Sequence, residues 1–169
     1  MSAFLELSSA VRTRRSDMGL TQAGLAKLSG LSRATVNQVE NGTLNDLSLT
    51  RAAKLLGVLG LSVSVSAPRA RKFQNTISRS SALDRAARTA SVSNRETLSA
   101  AQLREVFTIE AVPARFLPHI YNLLEEAPVS LLAAMVEQLH LELEIDRTQA
   151  WKKMRELARR LKSSRDLWL

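Results

Sequence analysis

Residues 20–42 read LTQAGLAKLSGLSRATVNQVENG, and this stretch decides the fold because it predicts two short helices joined by a tight turn. Thr21 can cap the first helix, since its hydroxyl can accept a hydrogen bond from an amide of the first turn. Gly30 suits the turn because glycine adopts left-handed backbone without steric cost. Ser32 can cap the second helix in the same way as Thr21. The stretch therefore predicts two helices packed across one short corner.

The second of these helices has one apolar face and one polar face. Val36 and Val39 lie three residues apart and share a face, which we expect to be buried. The remaining short and polar side chains suit a surface that reads base edges in the DNA major groove. Arginine can fork onto guanine, asparagine or glutamine can pair with adenine, and an alanine methyl can touch thymine. We predict that four residues read bases: Arg33, Ala34, Asn37 and Gln38.

Residues 5–65 resemble the XRE family of phage repressor and Cro-type regulators, which bind DNA through a helix-turn-helix. The resemblance rests on RRSDMGLTQAGLAKLSGLSRATVNQVENG, followed by LSLTRAAKLLGVLGL. It implies that Arg15 pairs with Glu40 beneath the recognition helix, and breaking such a pair when buried costs about 3–5 kcal/mol. It also implies contacts to the DNA backbone from Gln22, Ser32, Thr35 and Asn41. The alternatives are a solvated Arg15 and polar side chains that are exposed on a surface helix without touching DNA.

Leu61 to Ser66 reads LSVSVS and alternates apolar and hydroxyl residues, a pattern typical of a half-buried β-strand. A lone strand after a helical domain leaves its backbone groups open, and the same strand of a second copy could pair with them. The arrangement resembles HipB-type regulators, antitoxins that repress their own operons and dimerise through such a strand. We therefore expect a homodimer joined through Leu61, Val63 and Val65, with an extended linker as the alternative.

The pattern of the whole chain predicts an all-α protein with this one short strand. We expect residues 1–66 to form a repressor-like DNA-binding domain of four to five helices that ends in the dimerising strand. Residues 67–98 read as a linker with a short helix, because this part is polar and basic at its start. Residues 99–169 read as a second, small helical domain, in which we recognise no family.

The second helical part ends in a strongly basic helix that Asp146 can cap. An apolar stripe along this helix predicts its buried side: Trp151, Met154, Leu157, Ala158 and Leu161. The remaining basic face allows three interpretations. It could touch DNA that flanks the operator, dock an acidic partner, or be solvated.

The charge of the chain favours a polyanionic partner, and its distribution places that partner at the first half. The formal net charge is +8 at pH 7, and excess Lys and Arg attract polyanions. Residues 1–75 carry ten Lys and Arg against four Asp and Glu, whereas residues 76–169 carry fourteen against twelve.

Several classes of protein are disfavoured by what the sequence lacks. There is no cysteine, which excludes disulfides and Cys-ligated zinc and fits a reducing cytoplasm. No apolar run reaches the roughly 18 residues of a membrane span. His119 and His140 lack metal-ligand spacing, and no glycine-rich phosphate loop or catalytic serine motif is present. We expect a cytoplasmic, nucleoid-associated bacterial protein that is not an enzyme, carries no metal or cofactor and does not bind membranes.

Two functions remain as hypotheses. The first is a transcription regulator that binds double-stranded DNA, most simply a dimeric repressor or autorepressor on a palindromic operator. The alternative is an antitoxin of a type II toxin–antitoxin pair, whose C-terminal domain would bind and neutralise a toxin protein. A ligand-sensing C-terminal domain is a third option, but no residue pattern names a ligand.

Overall fold

The computed structural model describes residues 3–44, 46–63, 80–92, 94, 96–109 and 112–168. Over this part of the chain the predicted all-α class is confirmed, since its regular elements are nine α-helices and two short 3-10 turns, Ala114–Phe116 and Asp166–Trp168. None of the helices within these ranges is both long and apolar enough to cross a membrane. The helices are α1 Ala3–Asp17, α2 Gln22–Ser29, α3 Arg33–Glu40, α4 Leu49–Val58, α5 Ala82–Ser91, α6 Ala100–Thr108, α7 Leu117–Glu126, α8 Val129–Leu143 and α9 Arg147–Arg160.

The corner between α2 and α3 has the caps that the sequence predicts. The hydroxyl of Thr21 accepts a hydrogen bond from the amide of Gly24 at 2.9 Å. The hydroxyl of Ser32 accepts one from the amide of Thr35 at 3.0 Å. Gly30 follows α2 with φ +68°, the left-handed conformation that a glycine adopts at low cost. Local capping therefore sets both ends of the turn.

Apolar side chains from α1 to α4 close over a common core beneath this corner. Val36 and Val39 are fully buried, so the predicted apolar face of α3 is confirmed. Helix α2 packs against α3 and α4, while α1 packs against α3. The most deeply buried residues of this core are Val11, Met18, Leu25, Val36, Val39, Leu55 and Leu59.

The predicted strand from Leu61 to Ser66 is not supported. Helix α4 ends in a Schellman motif, in which Gly60 has φ +68° and the amide of Leu61 donates to a carbonyl of the last turn at 2.9 Å. Leu61 then packs, partly buried, against the core. From Leu61 to Val63 the backbone has no regular structure, because no described neighbouring strand offers the ladder of hydrogen bonds that a strand needs. Val65 lies outside the described residues.

The short helix that we placed in the linker, α5, packs against α6, α7 and α8. Ser81 and Asp84 form a capping box at its start, which the sequence analysis did not identify. Its buried side consists mainly of alanines, whose small side chains let α5 lie close to its neighbours: Leu83, Ala86, Ala87 and Ala90. Helix α9 packs against α7 and α8 through the predicted apolar stripe.

The two helical parts share a continuous cluster of buried apolar residues. Helix α1 contacts α9, and α4 contacts α8. Glu137 on α8 bridges Arg14 of α1 at 3.2 Å and Arg147 of α9 at 2.9 Å. Hydrogen bonds from Arg147, which outweigh the effect of burial, and the charge of Arg14 lower the pKa of Glu137. The domain boundaries stay a prediction, but the described parts are in direct contact.

Candidate nucleic-acid interface

The four predicted base-reading residues lie together on the exposed side of α3. Their side chains are all accessible to solvent, whereas Val36 and Val39 on the opposite side are completely buried. This separation follows from the period of about 3.6 residues per helical turn. The surface consists of Arg33, Ala34, Asn37 and Gln38, and we call it the α3 face. Base contact by these residues remains a prediction.

A buried ion pair supports α3 from below. The guanidinium of Arg15 donates two hydrogen bonds to the carboxylate of Glu40, at 2.5 Å and 3.1 Å. The Glu40 side chain is 2% exposed and that of Arg15 is 16% exposed. A third hydrogen bond joins Arg15 to the carbonyl of Leu20 at 2.8 Å. The pair therefore connects α1, the loop before α2 and the end of α3.

Glu40 is held in its charged form by its partners. Burial alone would raise the pKa of Glu40, but hydrogen bonds from Arg15 and Gln22, with the charge of Arg15, lower it below the usual value. The amide nitrogen of Gln22 donates to Glu40 at 2.9 Å. Helix α2 is therefore connected to the same carboxylate that supports α3.

Asn37 belongs to a small network of amide side chains that the sequence analysis missed. The side-chain nitrogen of Asn41 donates to the side-chain oxygen of Asn37 at 3.0 Å, and that of Gln22 approaches the same oxygen at 3.4 Å. The spacing of Asn37 and Asn41, four residues apart on one helix, is the signal that could have predicted their contact. The amide nitrogen of Asn37 keeps both donors for an external partner.

The predicted backbone-contacting residues lie at the ends of the two helices. Gln22 opens α2 and is partly buried. Ser32 and Thr35 lie at the start of α3, where their hydroxyl oxygens are 2.8 Å apart. Asn41 follows the last residue of α3 and is exposed. These residues border the α3 face on both sides, as phosphate contacts around a groove-reading helix would require.

The charge on the exposed surface of α3 is positive. Arg33 is its basic residue, and its one acidic residue, Glu40, is buried and paired with Arg15. A surface with exposed donors and no exposed carboxylate is compatible with the polyanionic backbone of DNA.

Comparison with known proteins assigns this part of the chain. A family model described as helix-turn-helix matches residues 11–65, about a third of the chain. No curated protein and no solved structure matches the chain. The matched segment contains α2, α3, their corner and the ion pair beneath them. Residues 11–65 therefore form a helix-turn-helix domain of the XRE type, the DNA-binding unit of a transcription regulator.

Proposed function

We propose that the protein binds a specific duplex DNA site through the α3 face and represses the promoter that this site overlaps. The observation that carries the proposal is the α3 face itself, an exposed polar surface fixed over a buried core within the matched domain. The Arg15–Glu40 pair holds this surface in place before DNA arrives. Regulation then requires only occupancy of the site, without a catalytic step, a metal or a cofactor.

The side chains of the α3 face have the chemistry for direct readout. Arg33 can donate two hydrogen bonds to one guanine, and Gln38 or Asn37 can both donate to and accept from an adenine. The methyl group of Ala34 can contact thymine. Each well-formed bidentate contact discriminates against a wrong base by about 1–3 kcal/mol.

Phosphate contacts would come from the residues that border the α3 face: Gln22, Ser32, Thr35 and Asn41. The side-chain amide of Gln22 has two N–H groups, and one of them is held by Glu40 at 2.9 Å. The second approaches Asn37 only at 3.4 Å and is at the long limit of a hydrogen bond. Turning this second N–H towards a phosphate therefore costs little.

The length of α3 favours two copies on one DNA site. Eight residues make a helix of about 12 Å, which spans only about four base pairs at roughly 3.4 Å each. Two copies related by a two-fold axis would read two half-sites whose centres are about 34–36 Å apart, or a multiple of that distance. We therefore propose a homodimer on a palindromic operator, without assigning the dimer contact to the segment after α4.

Selection of binding sites from a random duplex library tests this proposal. The full chain is expected to enrich one motif with two-fold symmetry. The same motif should emerge from genome-wide mapping of the protein in its host, upstream of regulated genes. Failure to enrich any motif would overturn the proposal, whereas an asymmetric motif would overturn only the dimer.

A groove in the second helical part keeps the antitoxin alternative as a second proposal. It has a volume of about 640 Å³ and lies between α5 and the start of α8. Arg85 and Arg88 line it together with Val92, which is 74% exposed. Such a surface suits an acidic partner with an apolar anchor. Co-expression with the product of a neighbouring gene tests this: Val92→Asp should abolish both the complex and protection from that product, and intact protection would contradict it.

A further inference from the structure

A groove lies where the end of α9 meets the start of α2. Its volume is about 390 Å³. The helix-turn-helix side contributes Gly19, Thr21 and Lys27, and α9 contributes Arg155 and Arg159. We call it the α2–α9 groove. It joins the matched DNA-binding domain to the part of the chain that matches no family.

Arg155 fixes α9 against the turn between α1 and α2. Its guanidinium donates a hydrogen bond to the carbonyl of Met18. It also occupies the space beside Gly19, where a Cβ would lie 2.5 Å from a guanidinium nitrogen. Gly19 has φ +62°, so a side chain there would be strained as well. The position of α9 relative to the start of α2 is therefore set by specific contacts.

The α2–α9 groove is positively charged. Three cationic side chains line it, Lys27, Arg155 and Arg159, against the single carboxylate of Asp166, which lies 3.3 Å from Lys27. Arg159 is exposed, and the structure shows no ion pair for it within the described ranges. Because it follows Arg155 by four residues, both side chains project from the same side of α9.

The groove continues directly from the predicted phosphate contacts. Thr21, which lines the groove, is the N-cap of α2, and the next residue is Gln22. A DNA strand that passes Gln22 would thus reach the cationic side chains of the groove within a few ångströms. An acidic protein segment would match the charge, but it would have no reason to lie beside the DNA contact.

We propose that the α2–α9 groove holds the phosphate backbone of the duplex next to the site read by α3, with Arg159 and Lys27 as its phosphate contacts. This inference rests on the proposed function and adds a role for the second helical part, which becomes a direct DNA-binding element. Because phosphates carry no base identity, the contact would strengthen binding to every sequence equally.

Salt-dependent binding of the full chain tests the groove. The probe is a mixed-sequence duplex of about 30 base pairs, which exceeds one site, and binding is followed by fluorescence anisotropy over a range of salt concentrations. Losing one phosphate contact lowers the slope of log affinity against log salt by about 0.9, or about eightfold in affinity at 0.1 M relative to 1 M salt. We expect this loss for Arg159→Gln, and a slope that stays at the wild-type value for Arg159→Lys.

Lys152→Gln is the matched control. Lys152 is an exposed cation on the same helix, but it lines a different groove with Phe107 and Ile145. It should keep the wild-type slope. Asp166→Asn tests the opposite direction, because removing the carboxylate from the groove and releasing Lys27 should tighten binding about two- to fourfold. A gain in affinity cannot arise from a folding defect.

The outcomes separate this inference from the proposed function. If wild-type protein binds DNA but Arg159→Gln and Lys152→Gln have equal slopes, or Asp166→Asn does not bind more tightly, the groove carries no DNA and the α3 proposal stands. If the wild-type protein does not bind duplex DNA even at low salt, both proposals are overturned.

Discussion

Removal of Glu40 is the perturbation whose result follows most directly from the structure. Glu40→Met leaves the guanidinium of Arg15, which is 16% exposed, without its carboxylate. Breaking a buried ion pair costs about 3–5 kcal/mol, because the remaining charge stays desolvated. Arg15 keeps its hydrogen bond to Leu20 and some contact with water, so we expect the lower end, about 3 kcal/mol. For a chain of this size that corresponds to a fall of about 6–12 °C in Tm.

A double-mutant cycle measured by urea unfolding separates the pair from general damage to the core. The second single variant is Arg15→Met, and the double variant places two methionines in contact. Because an apolar pair of similar volume often replaces a buried ion pair at little cost, the double variant should be more stable than either single variant. If the two single losses simply add, or if each is below about 1 kcal/mol, the pair does not support α3 as described.

Three further predictions concern pH, backbone strain and the division of labour on DNA. The lowered pKa of Glu40 contributes stability above its ordinary value of 4.5, and this contribution is lost as the pH falls through the lowered pKa; the difference in unfolding free energy between wild type and Glu40→Gln should therefore shrink below about pH 4.5. Gly60→Ala should destabilise the fold by at least about 1–3 kcal/mol in urea unfolding, because Gly60 has φ +68° and a Cβ would lie 2.9 Å from that of Ala133. The control Gly57→Ala, where a Cβ meets nothing within 4 Å, should be stabilising by about 0.5–1 kcal/mol, and a loss there would contradict the assigned packing. In binding assays on a selected site and on random DNA, Gln38→Ala should lose affinity only for the selected site, whereas Gln22→Ala should lose it for both; equal losses for Gln38→Ala would refute its assignment to base reading.

Local features of the fold could be predicted from the sequence because their causes lie within a few residues. Thr21 and Ser32 cap helices through hydrogen bonds to amides three residues ahead. Asp146 does the same for α9, and its hydroxyl-free side chain accepts from the amide of Gln149. The buried face of α3 follows from helical spacing alone. These signals are local, so one chain without any relative was sufficient to find them.

Features that depend on a distant partner could not be predicted in the same way. The alternation after α4 is a local sign of a strand, but a strand needs a neighbour, and Leu61 instead completes the end of α4 and packs on the core. Nothing near Arg155 in the sequence indicates that its guanidinium reaches Met18, 137 residues earlier. The three amide side chains around Asn37 were missed for a related reason, because Gln22 comes from the preceding helix.

The central claim, that the α3 face reads a specific DNA sequence, is tested most directly by one affinity ratio. The full chain is titrated with its selected duplex and with a duplex of the same composition in scrambled order, at one fixed salt concentration. Specific DNA-binding proteins prefer their sites by roughly 10³-fold or more, and the account predicts a ratio in that range that falls at least about tenfold in Gln38→Ala. Equal affinity of the wild-type protein for both duplexes would contradict it.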